Sequence, residues 1–183
     1  MTDSSIPTLT TERLTLRPFS LSDAAEVQRL AGERDVAATT LNIPHPYEDG
    51  MAEEWIRGHA PHWEEKTHLS LAVTTATDGV VGAISLTLSL AHGRAELGYW
   101  IGVPYWNRGY ATEAGRALLA FGFGELGLKR IEAHYLGSNP ASGKVMERLG
   151  MKREGLLRQH IVKWGRTEDV VLYGILASEF GPG

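Results

Sequence analysis

The stretch Tyr105-Trp106-Asn107-Arg108-Gly109-Tyr110-Ala111-Thr112-Glu113-Ala114 carries residue types that suit a diphosphate, in the order such a site requires. It follows an alternating apolar segment and opens a run with helical spacing, which marks a strand-to-helix turn. A helix N-terminus has unpaired backbone N–H groups and about half a positive charge, so it holds a phosphate without a cationic cage. Gly109 lets the anion approach with no Cβ in the way and Ala111 nearly does, while Thr112 adds a hydroxyl and Arg108 a full charge. A tight turn with nothing bound is the competing reading, since one glycine at a helix start is common. Two other patterns fail on context. Gly122-Phe123-Gly124-Glu125-Leu126-Gly127 spells a dinucleotide fingerprint, yet it ends a helix and precedes a strand, the reverse of the required setting. His59, His62 and His68 with Glu64 and Glu65 suggest a metal cluster, but Pro61 interrupts their helical spacing and no His-Glu-x-x-His run exists, so no metal site is assigned. Trp55, Trp63, Trp100, Trp106 and Trp164 alternate with apolar neighbours and are expected in the core or a pocket wall.

The elements that must position these residues follow from periodicity. Arg13 to Arg17 alternates as a half-buried strand that Pro18 ends, and Ser22 is then expected to cap a helix striped by Ala24, Val27 and Leu30 that stops near Gly32. Ala37 to Tyr47 has no period and contains Pro44 and Pro46, so it reads as a loop into a helix from about Glu48 that Pro61 ends or kinks. Leu69 to Thr75, Val80 to Leu88 and Ala95 to Val103 read as antiparallel strands joined by short turns. A long helix from about Asn107 stops in the Gly122 to Gly127 segment, and Arg130 to Leu136 is the next strand. Pro140 to Leu149 is a short helix with proline in its first turn and Gly150 past its end. Lys152 to Ile161 and Thr167 to Leu176 are strands about a Trp164-Gly165 turn.

With 183 residues the chain is expected to form one domain, residues 1–183 with an ordered core of about 9–178. Its 18 Lys and Arg against 22 Asp and Glu give a net charge of −4, which argues against a nucleic-acid partner, because that binding draws on clustered positive charge. The absence of cysteine excludes disulfides, thiolate metal sites and a cysteine nucleophile. No segment approaches the ~18 apolar residues of a membrane span, and Met1 to Thr8 lacks the layout of a signal peptide. The expected location is cytoplasmic, with no membrane partner.

The run from Trp106 resembles the acyl-CoA pyrophosphate loop of the GCN5-related N-acetyltransferase (GNAT) superfamily, whose pattern is Gln or Arg, two residues, Gly, one residue, then Gly or Ala. Gly109 and Ala111 match, and Trp106 stands where Gln or Arg is usual, as in the ribosomal-protein N-terminal acetyltransferase branch. Glu96-Leu97-Gly98-Tyr99-Trp100-Ile101, Asn139-Pro140-Ala141-Ser142, Arg148-Leu149-Gly150-Met151, Glu154-Gly155, Asp169 with Leu172-Tyr173, and Thr11 to Arg17 are similar to that branch in the same order.

The resemblance implies an α+β single-domain fold, a mixed, mostly antiparallel seven-stranded sheet flanked by helices, with splayed fourth and fifth strands. It implies acetyl-CoA as acyl donor, no metal, and a primary amine as acceptor, either a protein N-terminus or a small amine or antibiotic; a few members accept succinyl-CoA. The backbone of Ile101 and Val103 would bond the pantetheine amides, Arg108, Gly109, Tyr110, Ala111 and Thr112 would hold the pyrophosphate, and Asn139 would contact the arm across the gap. Glu96 is the candidate base and Ser142 the candidate donor toward the thiolate, with Tyr99 a substitute. Asn42, His45 and Tyr47, in the loop Thr39 to Tyr47, would roof the acceptor site. Two positions depart from the family: Met146 stands where many members place a catalytic tyrosine, and Ile161 where the branch has a carboxylate. A non-catalytic acyl-CoA sensor and a structural protein dimerising through a sheet edge are the competing functions, and either a monomer or a homodimer fits.

Overall fold

Eight strands join one sheet in the computed structural model, which describes residues 5–181. They are β1 (Leu9–Thr10), β2 (Thr15–Arg17), β3 (His68–Thr75), β4 (Gly79–Ser89), β5 (Arg94–Ile101), β6 (Arg130–Leu136), β7 (Lys152–Lys163) and β8 (Arg166–Leu176), in the order β1-β2-β3-β4-β5-β6-β8-β7. Every neighbouring pair is antiparallel except β5 with β6. The strand added to the expected seven is β1, whose two residues pair Leu9 with Leu16 and Thr10 with Thr15 and are too few to show a period. The helices are α1 (Ala24–Ala31), α2 (Arg34–Thr39), α3 (Met51–Arg57), α4 (His59–Glu64), α5 (Tyr110–Gly124) and α6 (Pro140–Arg148).

Several boundaries differ from the periodic reading, each for a local reason. The long helix starts at Tyr110 and not Asn107, because Asn107 (φ 62°) and Gly109 (φ 80°) occupy the left-handed region that no α-helix can include. The expected helix from Glu48 begins at Met51 and breaks at Gly58; Pro61 lies in the first turn of α4, where its missing N–H costs no bond. A six-residue helix, α2, was not expected, and its last three residues, Ala37 to Thr39, fall in the segment read as a loop. Ser22 is not the cap: Ser20 precedes the 3-10 turn Leu21–Asp23, and its N–H donates to Asp23 Oδ2 at 2.8 Å. Arg17 donates to both Asp23 oxygens, at 2.8 and 2.9 Å, which holds that carboxyl below the usual range.

Alternation assigns each face of the sheet a helical layer. Leu69, Leu71, Ile84, Leu86, Leu97 and Ile131 point with one parity toward α5 and α6 and are almost fully buried with Leu118 and Leu119. Each such side chain contributes about 1.5–3 kcal/mol of transfer free energy. On the opposite face α1 and α3 pack Ala24, Val27, Ala31, Ala52 and Ile56 into a smaller cluster, with Trp55 and Trp100 against it. Gly122 belongs to the first layer: a Cβ there would meet Ile131 Cδ1 at 2.9 Å, so close helix-to-sheet packing explains the glycine in the dinucleotide-like run. Among the described residues no helix is long and apolar enough to cross a membrane.

Candidate active site

The site begins where the sheet stops pairing. The parallel ladder between β5 and β6 has three pairs, Arg94 with Arg130, Ala95 with Ile131 and Glu96 with Glu132, and beyond them the strands part. Gly102 N–H donates to Val81 O on the β4 side at 2.9 Å, so by alternation Ile101 turns its N–H and C=O into the gap. Trp106 Nε1 donates to that Ile101 carbonyl at 2.6 Å, leaving the Ile101 N–H to a ligand. A cavity of about 920 Å³ fills the gap and the space over it, near the upper end of the range for small-molecule sites. Its wall brings together Glu96, Tyr99, Ile101, Gly109, Tyr110, Ala111, Thr112, Asn139, Ser142, Asn42 and Tyr47.

Three of the expected site residues lie off this wall. Val103 sits in the 3-10 turn Val103–Tyr105, outside β5, and its carbonyl accepts from Trp106 N–H at 3.2 Å. Arg108 is exposed, donates to Pro104 O at 3.0 Å and lies 5.4 Å over the Tyr105 ring. His45 places Nδ1 3.2 Å from Gly32 O on the outer surface. The roof itself is pinned from two sides: Asn139 Nδ2 donates to Thr39 O at 3.3 Å and Lys163 Nζ donates to Thr40 O. Asn139 therefore ties α6 to the roof across the gap.

At the head of α5 the first residue with a bonded N–H is Glu113, which donates to Gly109 O at 3.0 Å; the N–H groups of Arg108 to Thr112 have no acceptor among the described residues. Thr112 Oγ1 is buried with no partner. A run of unpaired donors ending in an orphaned hydroxyl fits an anionic ligand. A brace absent from the sequence reading fixes this turn. Glu113 accepts from Thr11 Oγ1 at 2.6 Å, Arg13 N–H at 2.9 Å and Arg13 Nε at 2.7 Å, while Arg13 Nη1 donates to Arg108 O at 2.9 Å. Burial pushes the Glu113 carboxyl up, but these donors outweigh it and hold the group below its ordinary value. Glu113→Gln is expected to lower the unfolding free energy by about 1–3 kcal/mol at pH 7. Because a depressed carboxyl stabilises only while ionised, the difference from wild type shrinks as the pH falls through the carboxylate range, which urea titrations at pH 7 and pH 3.5 check.

Proton-handling groups sit on both faces of the gap. Glu96, Trp100 and His134 share the parity that faces α1 and α3, and Glu96 Oε1 lies 3.2 Å from His134 Nδ1. Tyr99 has the other parity and reaches α6, where its hydroxyl donates to Ser142 O at 3.1 Å and lies 2.6 Å from Ser142 Oγ. Burial pushes the Tyr99 phenol up to about 12 despite the opposing effect of Ser142, so it stays a protonated donor at neutral pH. His68 and Ser70 continue the polar floor on the first face, with His68 Nε2 3.0 Å from Ser70 Oγ and Nδ1 3.1 Å from Thr87 Oγ1. His59 lies apart, 5% exposed, between Phe19 and Trp55. Met146 is core, 1% exposed beneath α6.

Residues 13–152 match the acetyltransferase (GNAT) domain family. The chain is a GNAT acetyltransferase. An uncharacterized N-acetyltransferase of Bacillus licheniformis, p20, is 34% identical to this GNAT chain over 176 residues, 94% of it and 98% of the relative. A ribosomal protein uS5-alanine N-acetyltransferase of Escherichia coli is 31% identical over 87 residues, 48% of this chain and 45% of its own. The structure of spermidine N-acetyltransferase from Vibrio cholerae, in complex with CoA and spermine, superposes with a TM-score of 0.80 at 25% identity, covering 92% of this chain and 98% of that one. The splayed sheet, the helix that opens at Gly109 and the layers on both faces are those of a GNAT acetyltransferase.

Proposed function

We propose that this acetyltransferase transfers the acetyl group of acetyl-CoA to a primary amine, the α-amine of a protein N-terminus, in a ternary complex formed across the gap between β5 and β6. The observation that carries the reading is the gap itself, an interrupted ladder whose free Ile101 N–H leads to the unpaired donors of α5. The diphosphate of the donor fits the N–H groups from Arg108 to Thr112 together with Thr112 Oγ1, and the pantetheine arm adds to the β5 edge as a strand would. The thioester then lies where the strands begin to part, between two faces of opposite duty. The amine enters from the α1 and α3 face, toward the negative charge of Glu96, and the leaving thiolate lies toward the Tyr99 and Ser142 hydroxyls on the α6 face. A thioester is already reactive, so alignment and proton transfer supply most of the catalysis.

The relative named as a ribosomal protein uS5-alanine N-acetyltransferase supports a peptide acceptor. A second reading, a small cationic amine, rests on Glu54 with Tyr47, Trp55 and Trp100 in the cavity wall, where aromatic faces and a carboxylate favour an ammonium. Free-CoA release measured with peptides of varied N-terminal residue, polyamines, aminoglycosides and amino acids separates the two. Release with peptides led by small residues is expected, with Ser142→Ala about 10-fold slower in kcat. Release with polyamines alone would select the second reading; acetyl-CoA binding without release by any amine, succinyl-CoA included as donor, would leave a sensor.

A further inference from the structure

We propose that the atom receiving the ammonium proton is His134 Nε2, with Glu96 acting as the positioning residue that fixes the imidazole. The inference rests on the amine-acetyltransferase reading above and adds a residue to it. His134 is on β6, two residues beyond the last β5–β6 pair, so it stands at the point where the gap opens, and its side chain lines the cavity. Its Nδ1 lies 3.2 Å from Glu96 Oε1, and Nε2 has no partner among the described residues. A carboxylate only accepts, so a Glu96 oxygen beside Nδ1 favours the tautomer with its hydrogen there, which leaves the lone pair on Nε2.

The neighbours leave this pairing unopposed. Glu132, on the same face of β6, is taken by Arg94 on one oxygen and by Arg130 on the other at 3.1 Å. Leu172 is the register partner on β8, and His68 has both ring nitrogens occupied by Ser70 and Thr87. Of the imidazoles facing the cavity, His134 alone has a free nitrogen among the described residues.

The ammonium gives one proton to Nε2, and the imidazolium formed is paired with Glu96. The freed nitrogen lone pair forms the C–N bond at the thioester carbonyl carbon, the tetrahedral intermediate collapses with cleavage of the C–S bond, and the second nitrogen proton goes to the departing thiolate. His134 returns its proton to water in the cavity, so the products are an amide, the CoA thiol and one proton.

The test has two arms. In long-range proton–nitrogen spectra of protein labelled on histidine, His134 is expected as the Nδ1–H form, and Glu96→Ala should convert it to a mixture rich in Nε2–H. In turnover with an alanine-led pentapeptide and with spermidine, His134→Ala is expected to lower kcat about 100-fold or more, to change either KM less than about 3-fold, and to be partly restored by added imidazole. Glu96→Ala should cost about 10-fold, and the double variant no more than His134→Ala alone. A His134→Ala enzyme with near-normal kcat, or a Glu96→Ala loss far exceeding it, overturns the proposal and makes the carboxylate the acceptor. If the wild type acetylates neither amine, the choice of acceptor has failed and the spectrum decides alone: an Nε2–H ring in the wild type overturns the proposal and an Nδ1–H ring sustains it.

Discussion

Replacing Gly109 with aspartate is expected to raise the Kd for acetyl-CoA by about 100- to 1,000-fold. The left-handed backbone at Gly109, φ 80°, costs a residue with a side chain about 1–2 kcal/mol. The larger effect is charge. A carboxylate about 4 Å from a bound phosphate, at an effective dielectric of ~20, opposes it by about 4 kcal/mol, and it also takes up the N–H groups meant for the ligand. The position a Cβ would take lies 3.4 Å from Arg13 Nη2, so the new carboxylate would also pull Arg13 from its brace on Glu113. Gly109→Ala isolates the backbone part and is expected to weaken binding by about 10-fold. Calorimetric titration of both variants with acetyl-CoA checks this; wild-type affinity in Gly109→Asp would show that no phosphate is seated there.

The second large effect is on stability and follows from His59. Its ring is 5% exposed, neither nitrogen has a partner, and burial, reinforced by His68 and His62, pushes it down to about 4 from an ordinary 6.5. Between those values the unfolded chain binds a proton that the native ring refuses, so stability falls as the pH drops from about 6.5 toward 4. The loss approaches about 3 kcal/mol, taking 1.36 kcal/mol for each unit. Phe19 and Trp55, with ring centroids 5.4 and 4.4 Å away, offer an aromatic site that phenylalanine can fill. His59→Phe is expected to match or exceed the wild type at pH 7 and to lack this slope, as seen in denaturant titrations from pH 7.5 to 4.5. Parallel curves for the two proteins would mean that the native ring takes up its proton as readily as the unfolded chain does.

What was legible in the chain was local. Alternation marked the strand that carries Glu96 and Tyr99, and the Gly109 turn announced the head of α5 before any contact was known. Even the inner position of β8 was legible after the fact: Asp169-Val170-Val171-Leu172-Tyr173 is far more apolar than Lys152-Arg153-Glu154, as a strand buried between two neighbours must be. Three features depended on contacts that no spacing records. Glu113 meets Arg13 across 100 positions and Lys163 meets Thr40 across 123. His134 acquires its meaning only because the β5–β6 ladder ends at Glu96, and where a ladder ends is set by the whole sheet and not by either strand. The helix α2 was missed because six residues followed by Asn42 and Pro44 give too little periodicity to outweigh the turn signals.

The interrupted ladder also bears on how the protein avoids sticking to itself. A continuous sheet has two unpaired edges, but this one has four, because β5 and β6 each expose backbone groups where they part, and exposed edges recruit other chains. The outer pair is blunted: β1 is two residues long, and β7 carries Lys152, Arg153, Glu154, Arg158 and Lys163 and loses register between Leu157 and Ile161. The inner pair is sheltered under Thr39 to Asn42, which Asn139 and Lys163 hold in place. A polypeptide strand added at either inner edge would have to seat side chains on both faces of the sheet, against the Thr39 to Asn42 cover and against α6, whereas a slender chain bearing amides and no branches has none to seat, so the cover that shelters a ligand also opposes amyloid-like pairing.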